Sequence, residues 1–221
     1  MLRIFAAALF AAIVGTTGVA QAATVTGSYT GSLISVDPML AGDFAAGNAI
    51  TFAFSYDDTT PDSLFYPPGG IDWFPNNGVY QNAGTGSVTV GGYTASGPLF
   101  LDVTDDMAND GFTLALNSLA GSPLSNGLVP GQASLNLTAL STLFSSDHLP
   151  SSYVAASLFM LRSFQFTFYG PGFTPYSMTG TIDGPSVATT PLPAAFPLFA
   201  SALLGLGFAG WRRRKSAPAA A

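Results

Sequence analysis

The sequence predicts an all-β fold, an antiparallel β-sandwich or jelly-roll-like domain of about eight strands, set between two apolar chain ends. Three observations carry this. In the middle of the chain apolar residues alternate at period two, the mark of half-buried strands. Clusters of turn residues, such as Asp57-Asp58-Thr59-Thr60-Pro61-Asp62 and Gly121-Ser122-Pro123, punctuate the alternating runs. Helix-length patterns are scarce there, and many short strands separated by turns favour two packed sheets.

The strands follow in order. Val25 to Val36 is the first. Next, Ile50, Phe52, Phe54 and Tyr56 share one face against Thr51, Ala53 and Ser55 on the other. Further strands are expected over Ser87 to Thr94, Leu99 to Thr104, Gly111 to Asn117 and Ser134 to Leu140. Arg162, Phe164, Phe166 and Phe168 then repeat the alternation against Ser163, Gln165 and Thr167, and Pro175 to Ile182 is the last strand. The Phe-rich faces read as core, because alternating aromatics in strands pack a sheet interior. No repeat of solenoid or propeller period is visible.

Composition narrows the function classes. All 12 acidic residues are aspartate, and only Arg162 among the basic residues lies between the apolar ends, so the domain carries a formal charge of −11. Such a surface repels phosphate backbones and argues against nucleic-acid binding, which needs clustered Lys or Arg. With no cysteine, disulfides, thiolate zinc sites and cysteine nucleophiles are excluded. A domain of about 165 residues buries roughly 70% of its unfolded surface and needs no such staple.

The N-terminus reads as a secretory signal peptide over residues 1–22. Arg3 gives the charged start, Ile4 to Val14 the apolar run, and Ala20-Gln21-Ala22 the small-x-small site for signal peptidase, which would cut after Ala22 or one residue later. The domain then spans 23–183. Residues 184–190, Gly-Pro-Ser-Val-Ala-Thr-Thr, read as a flexible linker. From Leu192 to Trp211 a stretch nearly free of polar side chains follows, 20 residues or about 30 Å as a helix, matching the hydrocarbon core of a bilayer. Pro193 and Pro197 fall in its first turns, where a missing N–H costs least, and Trp211 sits where an interfacial aromatic belongs. Arg212, Arg213, Arg214 and Lys215 stay in the cytoplasm by the positive-inside rule, which puts the domain on the far side. Residues 216–221 are expected to be disordered.

The order Thr190-Pro191-Leu192-Pro193-Ala194, one apolar span and a terminal basic cluster resembles the PEP-CTERM sorting tails of Gram-negative bacteria, in the variant that reads Val-Pro-Leu-Pro-Ala. Thr190 replaces the leading Val; Pro191, Leu192, Pro193 and Ala194 fit. The resemblance covers roughly the last 30 residues, 191–215 above all. It implies an exosortase, a membrane-embedded transpeptidase-like protease, as partner. It further implies an inner-membrane-anchored precursor with its domain in the periplasm, and later the cell surface or the medium, often beside exopolysaccharide.

Candidate sites in the domain are few. Asp102, Asp105, Asp106, Asn109 and Asp110 crowd oxygen ligands into one loop, as calcium requires. An EF-hand loop starting at Asp106 fails, with Ala108 at its third position and Asn117 at its twelfth; the simpler reading is a solvated acidic turn. Asp57, Asp58 and Asp62 form a second acidic turn. The long connection Asp62 to Val79 holds Phe65, Tyr66, Trp73 and Phe74, aromatics that suit stacking on a sugar ring or plugging one end of the domain. His148, the one histidine, follows Asp147, yet no Gly-x-Ser-x-Gly elbow accompanies it. Nothing singles out two aspartates for paired-carboxylate chemistry. The expectation is therefore a surface or matrix protein without catalytic activity and without a cofactor. The alternatives are a carbohydrate- or calcium-binding module and, more remotely, an Asp-based hydrolase.

Overall fold

The computed structural model describes residues 23–63, 76–140 and 142–183. The signal segment, the aromatics Phe65, Tyr66, Trp73 and Phe74, the linker and the sorting tail lie outside them. Among the described residues there are eight strands: β1 (Thr24–Val36), β2 (Ala49–Asp57), β3 (Asn77–Val90), β4 (Tyr93–Asp105), β5 (Asn109–Leu116), β6 (Val129–Leu140), β7 (Leu161–Tyr169) and β8 (Pro175–Ile182). Each pairs antiparallel with the next, and β8 returns to pair with β1, so the sheet closes into an up-and-down barrel.

This corrects the expected sandwich. Alternation looks the same on the inner face of a sandwich and on the inside of a barrel; the difference lies in how far the sheet coils. Here register shifts at Leu33/Ser35, Tyr80/Gly84 and Pro130/Gln132 bend the sheet, as bulges do. Closure also needs β1 and β8 to approach closely. Gly31, opposite Ile182, permits it, because an added Cβ would overlap the Thr181 carbonyl.

The expected strand Ser87–Thr94 straddles a hairpin instead. Gly91 and Gly92 both adopt positive φ, 56° and 94°, as a two-residue hairpin turn requires. β3 ends before them and β4 begins after. β3 also starts at Asn77 inside the expected long connection, and its first half escapes the period-two signal because small residues face inward there. Gly78 and Ala83 are buried there, and a Cβ on Gly78 would overlap the Asp147 carbonyl.

The interior is filled by side chains, as expected for eight strands. Phe52, Phe54, Tyr56, Phe164, Phe166 and Phe168 are all buried, with Phe166 and Phe168 ring centroids 4.5 Å apart. Outside, Thr26, Ser28 and Thr30 on β1 and Thr85, Ser87 and Thr89 on β3 alternate with the buried positions. Apolar inside and polar outside is the reverse of a membrane-spanning barrel. Among the described residues no helix is long and apolar enough to cross a membrane.

Leu40 and Phe44 from the β1–β2 connection, with Leu119, Leu124 and Leu128 from the β5–β6 connection, are buried at one end of the barrel. Hydrogen bonds from Ser125 Oγ to Asp43 (2.9 Å) and from Asn126 Nδ2 to the Met39 carbonyl (2.6 Å) join the two connections. Phe166→Ala is expected to lose about 3–5 kcal/mol of stability, the usual loss for a buried phenylalanine. Gly31→Ala should lose about 1–3 kcal/mol through overpacking at the closing pair. Urea-denaturation midpoints test both.

Candidate functional site

The opposite end of the barrel holds most of the polar chemistry. β2, β4, β6 and β8 finish there, and β1, β3, β5 and β7 begin there. That places Asp57, Asp58, Asp62, Asp102, Asp105, Asp106, Asp110, Asp147 and Asp183 at or beside one end, and leaves only Asp37 and Asp43 among the described aspartates for the other.

The long β6–β7 connection caps this end. Leu149, Ala156 and Phe159 from it are buried on the core, and Tyr153 packs against Tyr29 and Phe54. Three barrel tyrosines donate to its carbonyls: Tyr29 to Val154 (2.7 Å), Tyr56 to Pro150 (2.7 Å) and Tyr80 to Asp147 (2.9 Å). From β5, Asp110 Oδ2 accepts the amides of Leu143 (2.6 Å) and Phe144 (2.8 Å). The cap is thus tied to β1, β2, β3 and β5. Burial pushes the phenols of Tyr29 and Tyr56 well above their ordinary 10.0, and that of Tyr80 up to about 12, where the charges of Asp62 and Asp147 add to it.

The loop read as a calcium candidate is the β4–β5 hairpin, with Asp105 paired to Asp110 across it. Asp110 is fully buried and turned toward the cap, its second oxygen, Oδ1, buried without a hydrogen-bond partner. Asp106 and Asn109 are exposed, and Asp105 is half-buried. The hairpin therefore divides these residues between the inside and the solvent. Among the described residues, no three His, Cys, Asp or Glu side chains gather as a metal would need. Asp102 sits on the outer wall, where it accepts from Thr104 Oγ1 at 3.2 Å. Burial holds its pKa above the usual carboxylate range, with the Asp62 charge contributing in the same direction.

A cleft of about 260 Å³ opens between the β2–β3 connection and the cap, lined by Asp58, Thr59, Thr60, Asp62, Tyr80, Asp147 and His148 among others. His148 Nδ1 lies 3.3 Å from Asp147 Oδ1, with the imidazole 84% exposed. The hydroxyls near it are committed to the turn. Thr59 Oγ1 donates to Asp57 Oδ1 (2.7 Å) and Thr60 Oγ1 to the Asp57 carbonyl (2.7 Å). Those bonds from Thr59, side chain first and backbone second, hold the Asp57 carboxyl below its ordinary value. Among the described residues no serine lines this cleft, and none of them aligns a nucleophile there with His148 and Asp147.

Sequence reasoning passed over the cap and its anchors. The signal was present: Asp110, Phe112, Leu114 and Leu116 alternate, which puts Asp110 in phase with the core. Comparison with protein families, with curated proteins and with solved structures finds no match to this chain.

Asp110→Ala strands the Leu143 and Phe144 amides and is expected to lose about 1–3 kcal/mol for each donor left buried without a partner. Chemical denaturation measures it. The raised phenols stabilise the fold fully below about pH 10, the unfolded value, and that contribution is lost as pH rises through the folded values. Melting temperature should therefore fall steeply from about pH 10 upward, and fall less steeply in Tyr80→Phe.

Proposed function

We propose that this chain is an exported, exosortase-sorted protein of the cell surface or extracellular matrix, in which the barrel is a displayed body without catalytic activity. One observation carries the reading: Pro191-Leu192-Pro193-Ala194, a 20-residue apolar stretch and Arg212 to Lys215 occur in that order after a signal-peptide-like start. The tail would hold the precursor in the inner membrane with the barrel in the periplasm, and processing by signal peptidase and exosortase would pass it outward.

The fold supports this reading in two ways. Gly31 of β1 pairs with Ile182, and the Asp183 amide donates to the Thr30 carbonyl at 2.9 Å. β1 begins and β8 ends at the same, acidic end, so both processed segments would leave from one side. The filled interior leaves the outer wall and the connections as the surfaces that meet a partner such as exopolysaccharide.

A second reading, a calcium- or carbohydrate-binding module, draws on the concentration of aspartates at that end. Melting with and without calcium and a glycan array would separate it from the first.

Deleting residues 191–215 should release the barrel into the periplasm or medium as a soluble protein. Continued fractionation of the deleted form with membranes would overturn the sorting claim.

A further inference from the structure

We propose that signal peptidase cuts between Ala22 and Ala23, and that Asp58 seats the new N-terminus by holding the Ala23 ammonium as an ion pair at the acidic end of the barrel. The proposal rests on the export reading above. Two cuts suit the Ala20-Gln21-Ala22-Ala23 ladder, one after Ala22 and one after Ala23, and the structure separates them.

Ala23 is held by Asp58 through two bonds. Its nitrogen lies 3.0 Å from Asp58 Oδ1, and its carbonyl accepts the Asp58 amide at 3.3 Å. The next residue, Thr24, begins the β1–β2 ladder opposite Asp57. Cleavage after Ala22 keeps both bonds and changes the nature of one. The peptide N–H, which already faces a charged acceptor, becomes an ammonium, and an ion pair is added to the hydrogen bond. Cleavage after Ala23 would remove both bonds. The new ammonium would then sit on Thr24 opposite Asp57, whose Oδ1 already accepts from the Thr59 amide and hydroxyl at 2.9 and 2.7 Å.

The position matters because β1 is one of the two strands that close the barrel. In the precursor Ala23 is tied to Asp58 by hydrogen bonds alone; after cleavage an ion pair to Asp58 is added, beside Asp57 on the neighbouring strand. An ammonium so placed has a pKa above the ordinary α-amino value of about 7.7. It therefore stabilises the fold fully below that pH, and the effect is lost as pH rises through the raised value.

The test uses the full chain, expressed in the cells that make it and recovered after processing. Mass spectrometry of the N-terminal peptide fixes the cut, and the acylation rate of that α-amine near neutral pH reports its free-base fraction. Ala23 is exposed, so the reagent reaches it. We expect an Ala23 start, with acylation several-fold slower than in Asp58→Asn, since the free-base fraction falls about tenfold whenever the ammonium's pKa rises by one. Slow acylation should be kept in Asp58→Glu. If Asp58→Asn does not accumulate, wild type is compared with itself in urea at the same pH, where slower acylation of the folded form is expected. An Ala23 start with equal rates, or a Thr24 start, overturns the proposal and leaves export standing. A retained Met1 overturns both.

Discussion

The polar ties between the β6–β7 connection and the barrel wall are the constraint on which this structure depends. An eight-stranded barrel has no sheet edge, but it has two ends, and an apolar interior must be sealed at both. At one end leucine and phenylalanine do this, with hydrogen bonds from Ser125 to Asp43 and from Asn126 to the Met39 carbonyl joining the two connections. At the other, a connection of about twenty residues crosses the opening, and its carbonyls at Asp147, Pro150 and Val154 would be buried without partners. The tyrosine hydroxyls satisfy them from within the wall, so each aromatic ring serves the core and each oxygen serves the cap. Asp110 does the same for the amides of Leu143 and Phe144.

This arrangement explains what was legible in the sequence. β2 and β7 announce themselves through alternating aromatics, and β8 lies where it was expected, over Pro175–Ile182. The choice between sandwich and barrel was not legible, because inward alternation is common to both and the coiling arises from bulges and small residues that carry no hydrophobic signal. The hairpin at Gly91-Gly92 was hidden inside an alternating run, Ser87 to Val90 before it and Tyr93 to Ser96 after it. Asp110 looked like a metal ligand because it sits in an acidic loop; its phase with Phe112 and Leu114 is what turns it inward.

The same physics shapes the functional account. A cored barrel with a Ser- and Thr-rich wall leaves its outside and its connections as surface, and most of the described aspartates are gathered at the end where β1 begins and β8 ends.

Native-state hydrogen exchange tests the closed and capped barrel most directly. The account predicts that amides in Gly31–Val36 and Pro175–Ile182 exchange as slowly as those of the central strands β4 and β5, with the Leu143 and Phe144 amides protected alongside them. Fast exchange along β1 and β8, with β4 and β5 still protected, would mean an open sheet with two free edges and would contradict it.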